Sequence, residues 1–220
     1  AGDRKFGDDQ AIIAGFGRYG QIVARLMLAQ GVPATVLDHS VEMLEVAHTF
    51  GYRVFYGDAT RVNLLRMAGA EQARILVVAV DAPDQSLKIV QLAKKHFPHL
   101  QVVARARDVT HWHSLRDLGV THVERELFES SLRTARTVLE LTGLPPQEAD
   151  RLAERFRAHN IALSERMYEH HNDREAMIAV AKQGRRQLVE QLAKERQERM
   201  AAAEAGSGLT PDVPQPAEDS

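Results

Sequence analysis

The sequence predicts a Rossmann-type α/β fold: a doubly wound parallel sheet of six strands, followed by helical arms. Three observations predict it. Six short apolar runs alternate with stretches of helical spacing, the pattern of parallel strands joined by crossover helices. The first run, Ala11–Ala14, leads at once into a glycine-rich loop, Gly15-Phe-Gly-Arg-Tyr-Gly20, which opens a helix. After about residue 125 no strand pattern returns, and only helical patterns follow.

Each element has its own signal. Ala11–Ala14 is a continuous apolar run bounded by glycine, which suits a strand buried on both faces. Residues 19–30 carry Ile22, Val23, Leu26 and Met27 at helical spacing, and Gly31 and Pro33 stop them. Thr35–Leu37 forms the second strand, ending at Asp38. Ser40 caps a helix with Met43, Val46, Ala47 and Phe50 as its apolar positions, and Gly51 ends it. By spacing, Phe50 is the last core residue of that helix. Arg53–Phe55 is the third strand, followed by Gly57-Asp-Ala-Thr60 and a helix over 61–68.

Ile75–Val80 is the fourth strand. A helix over 84–96 is broken by Pro98, and Gln101–Ala104 is the fifth strand. A helix over 109–118 ends at Gly119 before a short sixth strand, Val120–Val123. The expected strand order is 3-2-1-4-5-6. Three helices then follow, over 126–142, 147–170 and 174–204. The first presents Phe128, Leu132, Ala135 and Leu139 on one face. The last has a thin stripe (Ile178, Leu188, Leu192), as in a helix that faces solvent or docks on a partner. The chain thus divides into a linker (1–10), a Rossmann domain (11–124), a helical arm (125–205) and a disordered tail (206–220).

Composition narrows the function classes. The formal net charge over 220 residues is -2, which leaves no electrostatic footprint for nucleic acid. The chain has no cysteine, which excludes disulfides, thiolate zinc sites and a cysteine nucleophile. No apolar run approaches the roughly 20 residues needed to cross a bilayer. The polar start, without an initiator Met, reads as a linker cut from a longer chain; Met removal before Ala1 is the other reading.

The glycine loop carries the chemistry. In a Rossmann unit the first glycine makes the tight turn, the second lets a pyrophosphate approach the backbone, and the third lets helix and strand pack closely. Gly15, Gly17 and Gly20 stand at those positions, with Arg18 and Tyr19 between the last two. The helix N-terminus offers free N–H groups and partial positive charge to phosphate. Asp38 follows Gly20 by 18 residues, at the end of the second strand, where a carboxylate binds ribose hydroxyls and disfavours a 2′-phosphate. The expected ligand is therefore NAD(H), AMP or ATP rather than NADP(H). Asp58, Ala59 and Thr60 end the third strand on the same edge. Asp58 is a candidate acceptor for the adenine amino group, or else a helix cap.

The second half shows no substrate domain and no ordered nucleophile–base set, so no enzyme is expected. His111 and His113 lie two apart on a helix, point to opposite sides and make a poor metal pair. They read as surface or core-edge histidines, as do His170 and His171. What remains is a nucleotide-binding module with helical arms, the make-up of a ligand sensor.

Several stretches carry a family resemblance. They include Ile12-Ile-Ala-Gly-Phe-Gly-Arg-Tyr-Gly-Gln21, Gly51-Tyr-Arg-Val-Phe-Tyr-Gly-Asp-Ala-Thr60, Leu64-Leu-Arg-Met-Ala-Gly-Ala70, His96-Phe-Pro-His-Leu100 and Ala104-Arg-Ala-Arg107. Over roughly residues 10–200 the chain resembles the carboxy-terminal RCK (or KTN) domain of Kef glutathione-gated potassium efflux systems. The resemblance implies a regulatory domain at the cytoplasmic face of the bacterial inner membrane, joined in a longer chain to a potassium/proton antiporter domain. It implies a homodimer, AMP or NAD(H) in each Rossmann pocket, and an oxidoreductase-like ancillary subunit. It also implies gating: glutathione holds the system closed and glutathione adducts of electrophiles open it.

Four residues match the family's glutathione positions: Arg25, Phe50, Arg125 and Asn160. Without the resemblance, Arg125 reads as an exposed arginine at a helix start and Asn160 as a helix end or turn. Two other readings stay open: a TrkA-like nucleotide sensor without glutathione gating, and an NAD-dependent oxidoreductase.

Overall fold

The structure, a computed structural model, describes residues 11–207. The chain forms two compact units that divide between Ala135 and Arg136. The first unit alternates strands and helices: β1 (Ala11–Ala14), α1 (Arg18–Ala29), β2 (Ala34–Asp38), α2 (Val41–Thr49), β3 (Arg53–Tyr56), α3 (Val62–Met67), β4 (Ile75–Val78), α4 (Pro83–His96), β5 (Gln101–Ala106), α5 (Val109–Asp117) and β6 (His122–Arg125). Helix α6 (Phe128–Leu141) carries the division between the units.

All strand pairs are parallel, and the sheet order is β3-β2-β1-β4-β5-β6, as expected for this fold. Alternation along the strands feeds two cores. Ile12, Ala14 and Leu76 face α3, α4 and α5, packing with Leu65, Ile89, Val90 and Leu115. Ile13, Val36 and Val77 face α1 and α2, packing with Ala24, Leu44 and Ala47. The central strand β1 is buried on both faces, which is why its sequence is apolar without alternation.

Several boundaries differ from the sequence-based expectation, each for a local reason. β6 begins at His122, two residues late, because Val120 N–H closes α5 onto Leu115 O across Gly119, whose φ is +74. β5 runs on through Arg105 and Ala106; a charged residue hid the continuation, yet Arg105 is buried. Phe50 is not a core residue: it caps the C-terminus of α2 and is 56% exposed. Gly51, at φ +83, reverses the chain there and sends Tyr52 into the core, edge-on to Phe16 at 5.6 Å. His111 and His113 are both buried, so of the two readings the core-edge one holds and the surface one does not.

The second unit contains α7 (Pro146–Glu169) and α8 (Arg174–Ser207). Pro146 starts α7, where a missing N–H costs nothing, and Asp173 accepts from Glu175 N and Ala176 N at the start of α8. The two helices pack antiparallel: Leu163 lies against Gly184, and Arg155 pairs with Glu195. Helix α8 extends through Gly206 and Ser207, so the expected tail begins later; the rest of it lies outside the described residues. Asn160 sits in the middle of α7, not at a helix end or turn. Among the described residues no helix is long and apolar enough to cross a membrane, and no cluster of three metal-ligating side chains occurs.

Candidate functional site

A cleft of about 700 Å³ opens at the carboxyl ends of β1, β2, β3 and β4. Its position follows from topology, because the strand order reverses between β1 and β4 and the connecting helices leave opposite faces there. The three loop glycines have different reasons to be glycine. Gly15 has φ +97, and a Cβ on it would lie 2.8 Å from Val80 N, so the fold itself demands glycine. A Cβ on Gly20 would run into the Gly15 carbonyl. Gly17 is different: its φ is -70, and a Cβ there would meet nothing within 4 Å. Protein packing gives no reason for a glycine at 17; a ligand approaching the backbone does.

Gly17 is also the N-cap of α1. No side chain caps this end, and no acidic residue stands in its first turn. The first-turn N–H groups have no intrahelical acceptor, and Gly17 borders the cleft, an arrangement that suits a phosphate. By contrast, Ser40 caps α2 through Met43 N and Asp108 caps α5 through His111 N.

Asp38 ties the site together. Its Oδ2 accepts from Phe16 N at 2.7 Å, and its Oδ1 accepts from Ser40 N at 2.8 Å. One carboxylate thus holds the glycine loop and the start of α2 in register. Each oxygen keeps a further lone pair, and Asp38 borders the cleft, so ribose hydroxyls can still donate to it. The residues present therefore fit an adenine nucleotide: open helix N-terminus for phosphate, carboxylate for ribose, and Met43 as an apolar wall.

Asp58 and Ala59 also line the cleft. Asp58 accepts from Thr60 N (2.8 Å) and Thr60 Oγ1 (2.7 Å), and these bonds hold its carboxyl below the usual carboxylate range. It does not cap α3, whose N-cap is Arg61. Thr60 acts by positioning Asp58 rather than by lining the cleft. Of the other loop residues, Arg18 is exposed and Gly20 is buried, and neither borders the cleft. Tyr19 is half-buried beneath the Arg105 guanidinium, 5.5 Å from its ring centre. Burial, and then the nearby Glu124 charge, push the Tyr19 hydroxyl pKa up.

Sequence reasoning missed the β4 side of the cleft, Ala79 to Ala82 with Gln85, and the His39–Met43 wall. The switch-point rule could have found the first of these, because it names the ends of both β1 and β4. It also missed Arg105, which joins three strand ends from a buried position.

Of the four residues matched to glutathione, three lie in the first unit, on both sides of its sheet. Arg25 is exposed on α1, and Phe50 is exposed at the end of α2 on the same side of the sheet. Arg125 is the last residue of β6, not a helix-start residue. It pairs with Ala106 and follows Val123 on the opposite face, and it is half-buried over the Phe128 ring at 4.1 Å. Burial lowers its pKa. Asn160 belongs to the second unit.

The model of the TrkA-N domain matches residues 11–126, and that of the potassium efflux system KefB C-terminal domain matches residues 130–206. The chain is 48% identical over 188 residues to the glutathione-regulated potassium-efflux system protein KefC of Escherichia fergusonii, covering 86% of this chain and 30% of that one. It therefore spans about 30% of the length of the curated relatives it matches. Among solved structures, the Kef CTD of Shewanella denitrificans in AMP bound form is 43% identical, with a TM-score of 0.68 over 73% of this chain and 98% of that one. The TrkA-N domain of the inner membrane protein ybaL from Escherichia coli is 25% identical, with a TM-score of 0.53 over 60% of this chain and 96% of that one.

Proposed function

Since the chain belongs to the TrkA-N domain family, and within it to the C-terminal domains of Kef potassium efflux systems, we propose that it is the ligand-sensing regulatory domain of a glutathione-gated potassium/proton antiporter. It is a sensor rather than an enzyme. It acts at the cytoplasmic face of the membrane, within a longer chain that carries the antiporter.

The cleft holds AMP or NAD(H). The observation that carries this is Gly17, a glycine that packing does not require, at the uncapped start of α1 and across the loop from Asp38. The phosphate takes the first-turn N–H groups and the ribose takes Asp38. The AMP in the Shewanella denitrificans Kef CTD supports the same assignment.

Glutathione is the second ligand and holds the system closed; its bulky S-adducts open it. Arg125 suits a glutathione carboxylate, because a guanidinium can pair with it bidentately. Its stacking on Phe128 presets the side chain. Within one chain Arg25 and Phe50 lie on the α1–α2 side and Arg125 on the other. A site using all of them therefore draws on two copies, which favours the homodimer. An oxidoreductase-like ancillary subunit is a further partner that the resemblance implies.

Calorimetry with AMP-saturated protein, glutathione and a bulky glutathione S-conjugate tests this reading. Glutathione and its S-conjugate are both expected to bind the native chain, and Arg125→Ala to weaken both by about tenfold or more. Binding of neither would refute glutathione gating. The placement of Arg25 and Phe50 on one side of the sheet and Arg125 on the other also supports a second reading, a nucleotide sensor of the TrkA type. Thermal shifts with nucleotides and none with thiols would select it.

A further inference from the structure

The carboxyl edge of a six-stranded Rossmann sheet offers two mononucleotide half-sites, one over β1–β3 and one over β4–β6, and a dinucleotide spans both. Among the described residues, the cleft borders only the first. Every described residue lining the cleft comes from the ends of β1, β2, β3 and β4 or the starts of α2 and α4; none comes from β5 or β6. Arg105 occupies the other half.

Arg105 is 7% exposed and lies on β5. Its Nη1 donates to Ala79 O at 3.1 Å, its Nη2 lies 2.7 Å from Asp81 Oδ1, and its Nε donates to Glu126 Oε2 at 2.8 Å. Nη2 also lies 2.7 Å from Glu126 Oε2. One guanidinium therefore bridges the ends of β4 and β6, with its face over the Tyr19 ring. Asp81, whose side chain is 84% exposed, is thereby held in place at the cleft wall, on the side where the second half of a dinucleotide would pass.

The helix after β4 adds to this. Where α1 opens uncapped, α4 opens with Pro83, which has no N–H, and with Asp84 in its first turn. This end repels a phosphate rather than receiving one.

We propose that Arg105, acting through Asp81 and Glu126, restricts the cleft to an adenosine mononucleotide and excludes the nicotinamide half of NAD(H). The proposal rests on the nucleotide-binding reading above and chooses between the ligands it allows. Arg105 is a positioning residue here. It touches no ligand, but it fixes the carboxylate that a dinucleotide would have to displace.

Titration of the full chain with AMP and with NADH tests it. The native chain is expected to bind AMP at least about fivefold more tightly than NADH. Asp81→Ala removes the cleft-facing end of the bridge at an exposed position, so folding is retained. It is expected to lower the AMP-over-NADH preference by about threefold or more. Arg105→Met combined with Glu126→Gln removes the bridge without leaving a buried charge unpaired, and is expected to act in the same direction. The preference is the decisive readout, because general loosening of the cleft would weaken both nucleotides together. A native preference below about fivefold overturns the proposal, as does a preference unmoved by Asp81→Ala. Binding of neither nucleotide by the native chain would instead overturn the nucleotide reading itself, and the selectivity with it.

Discussion

Two residues of the glycine loop separate fold from function. Gly15 is held by the backbone: φ is +97 and Val80 N stands where a Cβ would go. Gly15→Ala is expected to destabilise the protein by about 1–3 kcal/mol in chemical denaturation. Gly17 meets neither condition. Gly17→Val is expected to change stability by less than about 1 kcal/mol while weakening AMP binding by about tenfold or more, measured by calorimetry. Equal losses of stability at both positions would mean the loop is shaped by packing alone.

His111 is a second residue with a measurable signature. It is buried; its Nδ1 accepts from Arg107 N at 3.1 Å, and its Nε2 has no hydrogen-bond partner among the described residues. Burial lowers its pKa below the usual 6.5, and Arg105 adds to this, while Asp108 and Asp84 oppose it. The folded state therefore favours the neutral ring. Below pH 6.5 the unfolded chain binds the proton more readily, so this contribution is complete above 6.5 and is lost as pH falls. His111→Asn keeps an acceptor for Arg107 N–H and is expected to flatten that limb of the stability–pH curve. An unchanged slope would count against it.

Elements show where local signals sufficed and where they did not. Helix α2 was legible from its cap, and the structure confirms Ser40 accepting from Met43 N at 3.3 Å. Its far end was misread, because the spacing that put Phe50 on the apolar face ignored the chain reversal at Gly51. β5 was read two residues short because Arg105 looks like a strand terminator until its ion partners are known. The α7–α8 pair gives a test at this scale. Gly184 is buried, and a Cβ there would come within 2.5 Å of Leu163 Cδ1. Alanine at this position gains about 1 kcal/mol of helix propensity, which offsets a shift of the Leu163 side chain. Gly184→Leu demands that the helices separate, and is expected to cost about 1–3 kcal/mol in denaturation followed by circular dichroism. A neutral Gly184→Leu would mean the helices do not depend on this close approach.

Across the whole molecule, what was legible depended on chain distance. The glycine loop and Asp38 have a fixed spacing, because one βαβ unit contains them both. Asp81, Arg105 and Glu126 meet only through strand order, β4 beside β5 beside β6, and no sequence spacing announces that. The same separation allows ligand effects to be read unit by unit. The single tryptophan, Trp112, lies in α5 and packs against the core of the first unit, so its fluorescence follows the unfolding of the nucleotide-binding half. A ligand that binds only the folded state stabilises it by about 2.7 kcal/mol at 100 times its Kd. AMP is therefore expected to raise the Trp112 melting midpoint progressively with concentration. Gly17→Val should abolish that rise. Arg125→Ala should keep the rise with AMP and lose any further rise with glutathione, because Arg125 lies at the end of β6, outside the nucleotide cleft. A loss of both responses in Arg125→Ala would mean that the two ligands share one site, contrary to the arrangement argued here.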